Sequence, residues 1–307
     1  MLIALARGGK SMTSRSIRLL LIGIVLSTSV GLQNAHALPL PPPGQEPDLS
    51  IEASFAPDVA VDFTAIVALN NCSGSLVRLT TSLGTDEAMV LTNGHCLEGG
   101  FVSPGQAVVN KPSNRVFKLL SSDGKKVLGT LQARRILYGT MTNTDMALYG
   151  LTESYDAIEK TYSVRPLTIA RNHSASDRRI AIASGYWKRI YSCSIDTFIN
   201  ELREANWIWK DSIRYSKPGC ETIGGTSGSP IIDAETYEVI GVNNTGNEDG
   251  GRCTMNNPCE VDSNGNVTVV PQASYGQQIY WVYDCLDSGN TLDLSRPGCL
   301  LTRPKSQ

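Results

Sequence analysis

The chain has 307 residues, of which 41% are hydrophobic and 18% are charged, and its formal net charge is -2. This composition is typical of a globular protein and excludes a disordered tail protein. The 27 basic and 29 acidic side chains include no long basic run, so we expect no nucleic-acid partner. Only three histidines occur, His36, His95 and His173, so chemistry that needs an imidazole has few possible positions.

The first 37 residues have the pattern of a secretory signal peptide. Arg15 and Arg18 precede an apolar run, Leu19–Val30, and Ala35 and Ala37 are small residues at the positions required for cleavage after Ala37. The run is shorter than the roughly 20 apolar residues of a stable membrane span. We therefore predict a secreted or periplasmic protein without a stable membrane span. An uncleaved signal sequence that serves as a membrane anchor is the alternative.

Residues 38–60 are predicted to form a linker or a short pro-segment. They show little apolar periodicity and are rich in proline, which favours an extended chain. The prolines are Pro39, Pro41, Pro42, Pro43, Pro47 and Pro57.

From residue 61 onward the pattern indicates an all-β protein. Short runs of β-branched and apolar residues alternate with Gly, Pro, Asn and Asp, at intervals typical of barrels and sandwiches. Helical periodicity appears only at Tyr275–Leu286, and the polar segment Glu153–Thr161 divides the chain. We predict domains at 61–161 and 162–286, with a tail at 287–307. The predicted strands include Phe63–Leu69, Ser75–Leu79, Ala88–Thr92, Val116–Leu120, Ile180–Ala183, Ser229–Ile232 and Val239–Val242.

All eight cysteines follow the predicted signal peptide. An even number of cysteines in an exported chain indicates four disulfides. Zinc binding is the alternative, but no Cys-x-x-Cys or Cys/His cluster has the spacing of a zinc site. We therefore expect no metal. The cysteines are Cys72, Cys96, Cys193, Cys220, Cys253, Cys259, Cys285 and Cys299.

The segment Gly224–Pro230 is a candidate nucleophile loop. Ser227 is followed by Gly228, and a tight turn there would expose its hydroxyl. The backbone N–H groups of Gly225 and Ser227 could then converge as an oxyanion hole. A surface Gly/Ser loop is the alternative. The segment is not the Gly-x-Ser-x-Gly elbow of α/β-hydrolases, because Ser229 occupies the final glycine position.

A serine nucleophile needs a base, and His95 is the best candidate. It follows a strand-like run and precedes Cys96, which can fix its position, whereas His173 lies in a polar stretch and is expected to be a solvated loop residue. The base in turn needs an acceptor that orients its ring. Asp145 precedes the apolar run Met146–Leu148 and can therefore be buried beside His95.

These motifs resemble those of chymotrypsin-fold (trypsin-like) serine proteases. The family has three motifs in a fixed order, and each has a counterpart here. Its His-Cys motif corresponds to Thr92–Cys96, its Asp-Ile-Ala-Leu motif to Thr144–Leu148, and its Gly-Asp-Ser-Gly-Gly-Pro motif to Gly225–Pro230. The resemblance implies two packed six-stranded antiparallel β-barrels with a C-terminal helix. It also implies a secreted endopeptidase in which His95, Asp145 and Ser227 form a catalytic triad, with the N–H groups of Gly225 and Ser227 as the oxyanion hole.

The nucleophile motif departs from the trypsin pattern. Thr226 stands where trypsin-like zymogens have the aspartate that pairs with a new N-terminus, so that activation switch is not expected. The motif is closest to bacterial glutamyl endopeptidase-like members. However, the strand Val239–Gly246, which would form one pocket wall, has no histidine to bind a substrate carboxylate.

Substrate-binding residues also follow from the resemblance. Glu221 stands where trypsin has its acidic pocket residue and would favour Lys or Arg at the cleaved bond; a solvated glutamate beside Cys220 is the alternative. Asn244 and Gly246 stand on the expected pocket wall.

The resemblance further implies a Cys72–Cys96 disulfide. The connectivity of the other six cysteines stays open, with local pairs Cys253–Cys259 and Cys285–Cys299 suggested and Cys193–Cys220 left by elimination. We expect a monomer that acts on protein or peptide substrates without a cofactor. The alternatives are a binding protein that has lost the chemistry and a hydrolase of esters.

Overall fold

The computed structural model describes residues 61–304. The predicted signal peptide at 1–37 and the Pro-rich segment at 38–60 lie outside the described residues. Within the described range, no helix has both the length and the apolar character needed to cross a bilayer.

The first sheet contains a closed antiparallel barrel. Its strands are β1 Ile66–Ala68, β2 Ser73–Arg78, β3 Glu87–Thr92, β4 Ala107–Pro112, β5 Val116–Leu120, β6 Val127–Thr140, β7 Met146–Ser154 and β8 Leu167–Thr168. Six of them form the barrel in the order β1-β5-β6-β7-β3-β2, and β2 pairs back to β1 to close it. Strand β4 pairs with β6, and β8 pairs with β2 in parallel.

The second sheet closes in the same way. Its strands are β9 Arg179–Ser184, β10 Arg189–Glu204, β11 Trp207–Tyr215, β12 Pro230–Asp233, β13 Val239–Gly246, β14 Cys259–Val261, β15 Val267–Thr268 and β16 Ser274–Gln278. Six antiparallel strands follow the order β11-β16-β13-β12-β9-β10, and β10 pairs with β11 to close the barrel. Strand β14 pairs with β10, and β15 pairs with β14. The predicted fold class, two six-stranded antiparallel barrels, is confirmed.

Strand alternation distributes apolar residues between the barrel interiors and the contact between barrels. In β12, Ile231 packs inside the second barrel, while its neighbour Ile232 joins a buried cluster that also contains Leu91 and Leu148 from the first barrel. Successive side chains of a strand point to opposite faces, so a continuous apolar run such as Ile231-Ile232 serves both cores. This shared cluster packs the two barrels against each other.

The helices differ in position from the sequence prediction. The segment expected to divide the chain forms helix α1, Tyr155–Tyr162, which begins where the Ser154 hydroxyl accepts a hydrogen bond from the Ala157 N–H. At the C-terminal end, the predicted helix Tyr275–Leu286 is replaced by strand β16 and a short 3-10 helix, Tyr280–Cys285. Pairing of β16 with both β13 and β11 satisfies its backbone on two sides, which outweighs the helical spacing of its apolar residues.

Four disulfides join the eight cysteines. The pairs are those suggested by the sequence: Cys72–Cys96, Cys193–Cys220, Cys253–Cys259 and Cys285–Cys299.

Candidate active site

His95 lies in a short 3-10 helix, Gly94–Cys96, immediately after strand β3. A side chain at Gly94 would place its Cβ 1.9 Å from the backbone oxygen of Thr140, so this close approach requires glycine. The Cys72–Cys96 disulfide ties the helix to β2, and its sulfurs lie within 4.8 Å of a His95 ring nitrogen. The backbone of His95 is therefore fixed on both sides of the residue.

Asp145 is fully buried and faces His95 from the start of β7. Its Oδ2 lies 2.8 Å from His95 Nδ1, and its Oδ1 accepts the backbone N–H of His95 at 3.0 Å. Asn93 adds a third contact by donating from Nδ2 to the backbone oxygen of Asp145 at 2.7 Å. The carboxylate acceptor at Nδ1 favours the tautomer whose proton is on Nδ1 and leaves Nε2 free to accept a proton.

The electrostatic surroundings make the His95 imidazole more basic. Burial acts to lower its pKa, but the charge of Asp145 and its hydrogen bond raise it, and the charge of Glu204 raises it further. The net pKa lies above the ordinary value of 6.5. A histidine with this pKa can accept a proton at neutral pH and return it during the reaction.

Ser227 lies on a loop that is anchored to both barrels. Its backbone oxygen accepts the N–H of Ser73 at 2.8 Å, and the following Gly228 N–H donates to Asn243 at 3.0 Å. The Ser227 hydroxyl donates to the backbone oxygen of Asn244 at 3.3 Å. Within residues 61–304 no hydrogen bond joins Ser227 to the His95 ring, although both side chains line the same cleft.

Two backbone donors are available beside Ser227. The intervening Thr226 N–H donates to Ile223, whereas the N–H groups of Gly225 and Ser227 have no hydrogen-bond acceptor among the described residues. Gly225 adopts a φ of +90°, in the region that favours glycine. A loop with two free N–H groups flanking a bonded one can bind an anionic oxygen.

Thr226 itself is buried and takes part in neutral hydrogen bonds. Its hydroxyl donates to the backbone oxygen of Ile223 and accepts from Asn243 Nδ2. These contacts hold the loop without an ion pair at this position.

The cleft brings together most of the predicted substrate-binding residues. Asn244 and Gly246 line it, and the buried side-chain amide of Asn244 has no hydrogen-bond partner on either polar atom. The lining residues also include Phe101, Met141, Glu204, Trp207, Trp209, Thr222, Ile223, Gly224, Asn243, Thr245, Glu248, Met255 and Asn256.

Glu221 does not line the cleft. Its side chain is exposed and turns back to accept the Gly219 N–H at 2.9 Å, a contact that lowers the pKa of the carboxyl. Because the charge faces solvent, the geometry gives no support to Glu221 as an acidic pocket residue and matches the alternative of a solvated glutamate.

Glu204, which the sequence does not predict as a site residue, is one of the acidic residues that line the cleft. It is 5% exposed and lies at the end of β10 in the second barrel. No local sequence motif marks this position; Glu204 reaches the cleft because β10 and β11 form a long hairpin.

His173 lies outside the cleft. It is exposed, and its Nε2 is 3.2 Å from Asp211 Oδ2.

Two closed antiparallel barrels and a serine loop at their cleft define a chymotrypsin-like protein. The model of the trypsin-like peptidase domain matches residues 72–242. The chain belongs to this family and is a trypsin-like serine peptidase.

Three solved structures show low similarity to the chain. The Rv3671c protease from M. tuberculosis, in its active form, has 14% identity and a TM-score of 0.44, and the match covers 81% of this chain and 87% of that one. The MamO protease domain from Magnetospirillum magneticum has 11% identity and a TM-score of 0.45, with 74% and 98% covered. The thermostable serine protease AL20 from an extremophilic microorganism has 17% identity and a TM-score of 0.41, with 71% and 93% covered. Comparison with curated proteins gives no significant match.

Proposed function

We propose that this chain is an exported serine endopeptidase with Ser227, His95 and Asp145 as its catalytic triad. The observation that carries the proposal is the buried Asp145 carboxylate bonded to both the ring and the backbone of His95, in the same cleft as Ser227. This arrangement supplies an oriented base at the site of a hydroxyl nucleophile.

In the proposed reaction, the Ser227 hydroxyl turns from the Asn244 oxygen to His95 Nε2 and attacks the peptide carbonyl as its proton passes to that nitrogen. The N–H groups of Gly225 and Ser227 stabilise the oxyanion. His95 then protonates the leaving amine, which leaves an acyl-enzyme on Ser227. Water hydrolyses this ester by the same sequence, with His95 again acting first as base and then as acid.

The cleft favours neither of the side-chain preferences considered from the sequence. A preference for Lys or Arg at the cleaved bond through Glu221 is not part of the proposal, because that carboxylate lies outside the cleft. A glutamyl preference is also disfavoured, since the acidic residues of the cleft, Glu204 and Glu248, would repel a substrate carboxylate.

We also propose that the chain is exported after cleavage at Ala37, with residues 38–60 as a linker or pro-segment and domains at 61–161 and 162–286. The signal-peptide pattern and the four disulfides support export. Cell fractionation followed by N-terminal sequencing tests this, and full-length protein retained in the cytoplasm would contradict it.

A fluorophosphonate probe tests the triad directly. We expect covalent labelling of the folded mature protein at Ser227 and none in the Ser227→Ala variant. Absence of labelling in the unmodified protein would contradict the peptidase proposal and favour a binding protein. Comparing casein with simple acyl esters separates an endopeptidase from an esterase, because an esterase would turn over the esters alone.

A further inference from the structure

The cleft contains a buried carboxylate, Glu204, that takes part in no ion pair among the described residues. Glu204 Oε2 accepts the Thr245 hydroxyl at 2.6 Å, and Oε1 accepts the Asn256 N–H at 2.9 Å. In the described part of the chain, no Lys, Arg or His nitrogen forms an ion pair with it. A carboxylate can accept about four hydrogen bonds, so this one keeps unused acceptor capacity. Burying such a charge is unfavourable unless a partner supplies the missing contacts.

Two structural elements hold Glu204 in this position. It pairs with Trp207 across the tight turn between β10 and β11. The turn is tied to the loop closed by the Cys253–Cys259 disulfide, because the Ala205 N–H donates to the Cys253 oxygen at 2.9 Å. The carboxylate is thus preorganised rather than free to turn toward solvent.

The register of a peptide paired to strand β13 indicates which substrate residue lies nearest Glu204. Beyond Asn243 the cleft-side edge of β13 is not covered by β12, and the Asn244 oxygen already faces Ser227. A peptide that adds antiparallel to this edge with its acyl residue at Asn244 places the preceding residue opposite Thr245. Residues directly opposite each other in antiparallel strands project to the same face. The side chain of that preceding residue would then lie on the same face as Thr245, whose hydroxyl donates to the Glu204 carboxylate.

Aromatic residues line the same cleft as the carboxylate and suit a long basic side chain. Phe101 packs edge-on against Trp207, with ring centroids 5.6 Å apart, and its ring centroid lies 6.1 Å from that of His95. The methylene stem of a lysine or arginine can pack along such rings while its cationic end reaches an acid.

We propose that Glu204 is a specificity-determining residue that selects Lys or Arg at the substrate position immediately before the acyl residue. The inference rests on the proposed endopeptidase function. It differs from the trypsin-type preference, because the selected residue is not the one whose carbonyl is attacked. Substrates with a basic residue at this position complete the contacts of Glu204, whereas neutral ones leave the buried charge unpaired.

Paired peptides test the proposal. A library first defines an efficiently cleaved sequence, and two versions then differ only in Lys or norleucine at the selected position. We expect kcat/KM to favour Lys by about 10- to 100-fold, the range of one charge-assisted hydrogen bond. Glu204→Gln should reduce this ratio to about one, whereas Glu221→Gln, which alters an exposed carboxylate outside the cleft, should preserve it. A ratio near one in the unmodified enzyme, or one unchanged by Glu204→Gln, would overturn the proposal.

A binding measurement keeps this test independent of the catalytic proposal. In Ser227→Ala protein, the Lys peptide should bind more tightly than the norleucine peptide, and Glu204→Gln in that background should abolish the difference. Failure of the triad would eliminate turnover and probe labelling but leave this binding difference, whereas failure of the Glu204 assignment would leave labelling and remove the difference. Near-ultraviolet circular dichroism of each variant verifies that it is folded.

Discussion

Replacing Asp145 by asparagine should nearly abolish catalysis while preserving the fold. The two carboxylate oxygens of Asp145 accept from His95 Nδ1 at 2.8 Å and from the His95 backbone N–H at 3.0 Å. An asparagine amide has only one oxygen and can adopt two orientations. In one orientation its NH₂ group faces the His95 backbone N–H, which places two donors against each other. In the other orientation the NH₂ group donates to His95 Nδ1, which must then be unprotonated. The ring proton moves to Nε2, where it prevents acceptance of the Ser227 proton.

The expected loss in kcat is large. The equivalent change in the reference Ser-His-Asp triad lowers kcat by about 10⁴-fold, which corresponds to about 5 kcal/mol of transition-state stabilisation. Initial rates on a peptide substrate and the thermal midpoint should be measured together. Asp123→Asn, a change at an exposed aspartate of the same barrel, should leave both values close to those of the unmodified protein. A folded Asp145→Asn variant that retains more than a tenth of the activity would refute this role for Asp145.

Four further predictions follow from the same geometry. His95→Ala should lower kcat/KM by several orders of magnitude and His173→Ala should leave it nearly unchanged; similar losses in both would contradict the choice of base. Because His95 must be neutral to accept a proton and its pKa is raised, activity should fall as the pH drops through a midpoint above 6.5. Glu204→Gln removes a negative charge that raises this pKa, so the midpoint in a kcat/KM profile should move to lower pH; an upward shift would contradict the assignment. Gly94→Ala should lower both activity and thermal midpoint, since its Cβ would collide with the Thr140 oxygen at 1.9 Å, and an unchanged midpoint would show that the backbone can relax.

The parts of the site that the sequence predicts are those encoded in short contiguous segments. His95 follows a strand and precedes a disulfide cysteine, and Ser227 lies in a glycine-containing turn, so local chemistry marks both positions. Asp145 stands out among the many aspartates because the apolar run Met146–Leu148 begins directly after it. The structure brings Asp145 to His95 and places both in the cleft with Ser227.

Other features of the structure are not marked by any local sequence pattern. Glu221 has the spacing of an acidic pocket residue, but its carboxylate turns back to the Gly219 N–H. Glu204 enters the cleft only because β10 and β11 form a long hairpin. The apolar spacing of Tyr275–Leu286 resembles a helix, yet pairing of β16 on both edges requires extended backbone for its first part. For β16, the partner strands β11 and β13 lie far away in the sequence, so the local spacing of its residues does not reveal the pairing.

Different parts of the fold hold the groups proposed for catalysis and the carboxylate proposed for substrate selection. The side chains of the proposed triad are held by barrel strands and by Cys72–Cys96, whereas the Asn256 N–H that donates to the Glu204 carboxylate belongs to the loop closed by Cys253–Cys259. We therefore expect sequence changes within this loop to alter substrate selection more than they alter the positions of the proposed catalytic groups.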